Sequence, residues 1–125
     1  MRQKTYEALR DDSALDALLE GPDKIFSTYE SVPTPPFVVV RLGLARERLV
    51  KVAEEEFVHI WAHDVPGDYT RIDSILHRAR IVLEALPNTG SFFAYEWFET
   101  SPDLPIDPET GTISRFSRFQ HISRR

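Results

Sequence analysis

Cysteine is absent from this chain of 125 residues. That excludes disulfide staples, thiolate nucleophiles and cysteine-based zinc sites, and leaves the redox surroundings open. Glycine is scarce, and its five copies are scattered, so no phosphate-cradling loop or dinucleotide fingerprint is present. A nucleophile elbow and a His-Glu-x-x-His helix are missing too. No apolar run approaches the roughly 18–20 residues that cross a bilayer. The opening Met1-Arg2-Gln3-Lys4-Thr5-Tyr6 lacks the apolar stretch and cleavage site of a secretory leader, so the expectation is a protein that stays in the cytoplasm where it is made. Basic charge is in short supply as well. The net charge is −5, and residues 112–125 hold Arg115, Arg118, Arg124 and Arg125 without a single acid. The rest of the chain is therefore more acidic than the total, which argues against nonspecific wrapping of nucleic acid. The Arg-rich segment reads either as a solvated edge strand or as a docking strip for an acidic partner.

What is there is enough for one domain over residues 1–125. Hydrophobic residues make up 42% and charged residues 28%, and a chain of this length buries about two-thirds of its unfolded surface. Residues 4–20 read as helical. Asp11-Asp12-Ser13 interrupts them, and Ser13 with Asp16 resembles a fresh helix start. Leu15, Leu18 and Leu19 form a stripe, and Gly21-Pro22 ends it, with glycine free to turn left-handed. Residues 25–29 suit a short strand, and Val32-Pro33-Thr34-Pro35-Pro36 an extended loop. Residues 37–44 are β-branched and continuously apolar, as in a strand covered on both faces. Residues 49–63 read as one long strand, with Phe57, His59, Trp61 and His63 on one face and Val58, Ile60 and Ala62 on the other.

A second helix starts near Asp68 or Thr70. Ile72, Ile75, Leu76, Ala79, Leu83 and Leu86 make its buried stripe, while Ile81 falls about 180° from Ile72 and faces outward. Residues 91–100 and 112–123 read as strands of a hairpin whose long tip holds three prolines and the turn cluster Asp107-Pro108-Glu109-Thr110-Gly111. Ten strand residues would span roughly 33 Å against a radius of gyration of about 14 Å, so the first of these strands crosses the domain. The fold class that follows is α+β: an antiparallel or mixed β-sheet with two α-helices packed on one face.

No constellation in the sequence carries chemistry. His59 and His63 share a strand face but lie about 13 Å apart, too far to share a zinc ion. Asp103, Asp107 and Glu109 lack the pattern of a calcium loop and read as solvated turn acids. No cofactor, metal or catalytic residue is assigned. The aromatics are more telling. Phe92, Phe93, Tyr95, Trp97 and Phe98 alternate to both faces of one strand, and Phe116 and Phe119 to both faces of the next. Either a curled sheet buries both faces, or one of them meets a partner. Arg46, Glu47, Arg48, Lys51, Glu54, Glu55 and Glu56 load one segment with charge, which reads as a solvated hairpin or as an arm reaching a neighbour.

The run His59-Ile60-Trp61-Ala62-His63-Asp64-Val65-Pro66-Gly67-Asp68-Tyr69-Thr70-Arg71-Ile72-Asp73 resembles the tail-terminator proteins of long, noncontractile-tailed bacteriophages. There a Trp-containing strand end leads into a Gly-Asp-Tyr-type helix start. Ser101-Pro102-Asp103-Leu104, Gly111-Thr112-Ile113-Ser114-Arg115 and Ala14-Leu15-Asp16-Ala17-Leu18-Leu19 also look like that family, especially its actinobacterial-phage branch. The resemblance implies a ring, usually a hexamer, on the last ring of the tail tube of the virion. Such a ring stops tube growth and offers a surface to the head-side connector. It implies as partners further copies of the chain, the major tail tube protein and the connector or stopper, with genomic DNA passing through unbound and no membrane, cofactor or catalysis. Candidate contact positions on this reading are Arg46, Arg48, Glu54, Glu55 and Glu56 of the charged arm, together with Ile81, Asp103, Arg115 and Arg118. A head-side neck or stopper protein is the nearest alternative. A host binding adaptor and a metal-dependent hydrolase built on His59 or His63 stand further off.

Overall fold

The computed structural model describes residues 2–27, 31–42, 53–85 and 95–124. In chain order these form α1 (Arg2–Arg10), α2 (Ser13–Leu18), β1 (Ile25–Phe26), β2 (Phe37–Leu42), β3 (Ala53–Asp64), α3 (Thr70–Glu84), β4 (Tyr95–Thr100) and β5 (Ile113–Arg124). The strands make one sheet of order β1-β2-β3-β5-β4. β1 runs parallel to β2 and every other pairing is antiparallel, so the sheet is mixed. The fold class is α+β, as expected, with three helices where two were expected.

The extra helix comes from the break at Asp12. Its carboxylate accepts the Leu15 amide at 2.9 Å and so caps α2, which places the cap one residue before the expected Ser13 start. The same carboxylate receives Arg78 of α3 in a two-pronged pair, both contacts at 2.8 Å. One side chain therefore starts one helix and moors another. At the far end of α2 the left-handed residue is Glu20, at φ 63°, and not Gly21 as expected. The Glu20 amide reaches the Ala17 carbonyl and the Gly21 amide reaches Asp16, the double closure of a Schellman turn. Gly21 follows at φ 144°, a conformation that favours glycine.

All three helices cover the same sheet face. Leu9 of α1, Leu15 and Leu19 nearby, and Ile72, Ile75, Leu76, Ala79 and Leu83 of α3 are buried against Val38, Val40, Val58, Ile60, Ala62, Ile113 and Phe119. The alternation read over residues 58–63 is the observed one, and Ile81 is turned away from the core as expected. β2 is indeed covered on both faces, since Phe37, Val38, Val39 and Val40 are all buried.

The crossover from β3 to α3 is built around a buried carboxylate. Asp64 accepts its neighbour's amide, Val65, at 2.7 Å and is gripped by Arg71 at 2.6 and 2.8 Å; Arg71 also reaches Glu20. Asp68 accepts both the amide and the hydroxyl of Thr70. The residue in the cap position of α3 is Tyr69, not either expected candidate, and its hydroxyl donates to the Leu104 carbonyl at 2.5 Å. Removing Arg71 would strand the Asp64 charge. Because the Arg71 side chain is 33% exposed, water recovers part of the loss, and Arg71→Ala should cost about 1–2 kcal/mol, less than the breaking of a fully buried pair. Glu84→Ala, which removes the exposed pair with Arg80, should cost under about 1 kcal/mol. Urea titrations of the two variants would compare them, and equal losses would mean that Asp64 is solvated when Arg71 is gone.

β3 and β5 pair position for position from Ala53–Arg124 to Asp64–Ile113. Twelve residues each make a ribbon of roughly 40 Å at 3.3 Å per residue, about the full width of a domain whose radius of gyration is about 14 Å. β2 flanks only Val58–His63 of it. The domain-crossing strands are thus β3 and β5. The described part of the expected 91–100 strand is the six-residue β4, and residues 91–94 lie outside the described residues.

Candidate interaction surface

Side chains on the sheet face away from the helices form a continuous row of rings. Phe26 meets Phe37 edge-on, Phe37 stacks on His63 at 4.6 Å, His63 neighbours Trp61 at 6.3 Å, Trp61 meets Phe116 at 4.7 Å, and Phe116 meets His59 at 5.5 Å. Strand alternation in β2, β3 and β5 puts all of them on one side. Phe37 and His63 are buried, while His59, Trp61 and Phe116 are half-buried. The His59 Nε2 and Trp61 Nε1 atoms are buried and find no hydrogen-bond partner among the described residues.

The two histidines are held apart by different neighbours. His63 Nδ1 shares a 3.0 Å hydrogen bond with the Thr112 hydroxyl, which meets Thr110 at 2.6 Å. Burial pushes His63 down to about 4, with the Arg41 charge adding to the shift and Asp107 opposing it. Burial also lowers His59, helped by the Arg118 charge beside it. Among the described residues no three His, Asp or Glu side chains gather as a metal-holding group.

On the helix side a cleft of about 260 Å³ opens between α3 and the β4–β5 edge. Leu76 lies in it beside Asp73, His77 and Arg80 of the helix, with Trp97, Thr100, Arg115 and Ser117 across. Arg80 stacks on the Trp97 ring at 4.5 Å, and the indole N–H donates to Thr100, whose hydroxyl meets Ser117. Trp97 remains 36% exposed. β4 pairs with β5 alone among the described strands, so its outer edge is open there.

The expected contact positions are distributed over the molecule. Arg115 sits in the cleft, bonded to the Ser101 carbonyl, to Asp73 at 2.5 Å and to Asp103 at 3.4 Å. It thereby closes the base of the hairpin tip. Arg118 lies on the aromatic face and pairs with Glu99. Ile81 is on the outer side of α3, and Asp103 is exposed. Glu54, Glu55 and Glu56 lie on β3 opposite Ser123, Ile122 and His121. Arg46 and Arg48 lie outside the described residues. Sequence reasoning missed Arg80 and the tip residue Ile106, which is 56% exposed; three prolines around an isoleucine in an acidic loop were the signal that could have found the latter.

No protein-family model matches the sequence, and no curated protein matches it significantly. Among solved structures the fold is similar to that of a chain in the virion of a native gene transfer agent particle. That likeness has a TM-score of 0.73 at 12% identity and covers 100% of this chain and 95% of the other. At that identity the two chains are alike in fold.

Proposed function

We propose that this chain is a structural protein of a phage-like particle, and that it acts as the ring that ends the tail tube and joins it to the head. The observation that carries the first part is the likeness of fold over the full length to a chain of a gene transfer agent virion. The second part rests on the motif order around Trp61, Gly67, Asp68 and Tyr69 and on the form of the molecule. A paired ribbon that β2 flanks along only half its length, and a β4 edge without a partner among the described strands, are features by which identical subunits can make head-to-tail contacts. The reading needs no catalytic residue and no cofactor. Its partners are other copies of the chain, the tube protein and the head connector, and its place is the head-proximal end of the tail.

The test is deletion of the gene followed by electron microscopy. Loss of a tube-ending ring should leave tubes of uncontrolled length and heads without tails. Tubes of normal length beside tailless heads would instead favour the head-side neck protein.

The charged arm adds a second test of this reading. A ring that passes DNA gains from acidic walls, because a basic wall would hold the phosphate backbone. Exposed ion pairs contribute only about 0–1 kcal/mol each, so stability alone is a weak reason for Glu54, Glu55 and Glu56 to stand together. Changing all three to lysine is expected to leave the circular dichroism spectrum intact and to reduce infectivity by an order of magnitude or more. Full infectivity with a normal spectrum would return the segment to a solvated role.

A further inference from the structure

Two loops meet at the end of the sheet where β3 stops and β5 begins, and each displays an apolar side chain. Val65 follows β3 and is 51% exposed; Ile106 lies in the hairpin tip and is 56% exposed, and no other large apolar residue described reaches either value. Asp64 pairs with Ile113, so Val65 and Thr112 leave the sheet together. The Asp107 amide, next to Ile106, bonds the Thr112 carbonyl. One chain therefore separates the two loops, a spacing of roughly 10 Å. Both loops are braced. Val65 donates its amide to Asp64, Asp68 holds the amide and hydroxyl of Thr70, and the Tyr69 hydroxyl ties one loop to the other through the Leu104 carbonyl. A surface held in this way loses little freedom on binding, so most of the apolar gain of covering Val65 and Ile106 is kept.

The free charge around this patch is of one sign. Asp68 and Glu109 are exposed on the two loops and Asp107 is half-buried between them. None of the three is ion-paired among the described residues. The cations that approach this end are already taken, Arg71 by Asp64 and Glu20, and Arg115 by Asp73 and Asp103. Uncompensated carboxylates repel phosphate backbones and anionic lipid headgroups. Among the described residues no three His, Asp or Glu side chains gather to hold a metal ion. A second copy is a poor match as well. Arg10, Arg78, Arg80 and Arg118 are each paired with an acid of their own chain. Of the arginines whose side chains are described, that leaves Arg41, which lies on β2 opposite His59. The charge that would complement three carboxylates has to come from another protein.

We infer that this end of the molecule docks against a different protein, one whose surface carries exposed lysines or arginines around an apolar hollow. Val65 and Ile106 enter the hollow, and Asp68 and Glu109 meet the cations at its rim, with the Asp107 charge behind them. The inference goes beyond the ring reading, which names partners without assigning them a surface.

The test is photocrosslinking in cells that make the protein from its own gene. The photoreactive residue p-benzoylphenylalanine, placed where Ile106 stands, keeps the position apolar, and irradiation joins it to the surface that covers it. The expected result is an adduct with one protein other than this chain, identified by tandem mass spectrometry at a site that carries lysine or arginine. Its yield should be about tenfold above that from the same probe at the exposed Ala17. Glu109→Lys, whose side chain has no described partner, should leave the melting temperature unchanged and cut the adduct about tenfold, because it sets like charges against each other. Val65→Asp should cut it as well, by putting a charge into the apolar contact. An adduct only with a second copy, a yield no higher than at Ala17, or an adduct that either variant leaves undiminished would overturn the inference. The ring reading is decided separately, by whether purified particles contain the chain.

Discussion

Leu76→Ala is expected to lower the unfolding free energy by roughly 2–5 kcal/mol, while Ile81→Ala on the same helix changes it by no more than about 0.5 kcal/mol. Both positions lose the same class of side chain from the same element, so helix propensity and charge cancel in the comparison. Only surroundings differ. Leu76 is 4% exposed and packs in the core with Val58, Ile60 and Phe119, whereas Ile81 is 44% exposed. The cost at Leu76 combines lost apolar burial with a cavity that fixed strands cannot collapse to fill. Paired urea titrations would measure it. Equal losses would show that α3 is rotated from the orientation described, and with it the position of the Arg80–Trp97 cleft.

Stability is also expected to fall as pH drops from 6.5 towards 4, by about 3 kcal/mol in full. The cause is His63. Unfolded, the imidazole takes up a proton near its ordinary 6.5, and folded it does so only at about 4, mainly because it is buried. Between those values the unfolded chain binds the extra proton, so stability is complete above 6.5 and is lost progressively down to about 4. His59 is lowered for the same reason and adds to the slope. Asp12 acts below that window: Arg78 holds its carboxyl under the ordinary 3.8, so its contribution is lost only as pH falls further. Urea midpoints at pH 7 and 4.5 should show most of the histidine loss. His63→Gln should flatten the profile even if it lowers the pH 7 value by weakening the Thr112 bond. An unchanged slope in that variant would remove His63 as the cause.

What could be read from the sequence was local. Alternation over 58–63 and the stripe Ile72, Ile75, Leu76, Ala79, Leu83 each need only the repeat of one element, and both are observed. The misplaced details depended on distant residues. Ser13 and Asp12 are comparable caps by type, but Asp12 is also bound to Arg78, 66 positions away. Gly21 is the cheaper left-handed residue, yet the double hydrogen bond of the α2 terminus falls so that Glu20 takes that turn. The surface was legible only in outline. Aromatic richness left open whether both sheet faces are buried or one meets a partner, and the pairing of Trp97 with Arg80, and the use of Arg115 as the tie of the hairpin base, depend on how α3 crosses the sheet. Ile106 needed the whole bonded loop before its exposure could be recognised.

The pairing of β3 with β5 bears on how the polypeptide reaches its native state. His63 and Thr112 are 49 positions apart, and every pair further along the ribbon closes a longer loop. Such non-local contacts pay their closure entropy before they return any energy, which places folding in the slow millisecond-to-second range of sheet proteins. On a ribosome the helices and β2 can form early. β3 can pair with β2 as soon as it is made, but its other edge must wait until β5 has been synthesised, and β4 waits for the same strand. Folding of this sheet therefore becomes a race between translation and aggregation, and slower elongation after residue 64 should lengthen the vulnerable interval.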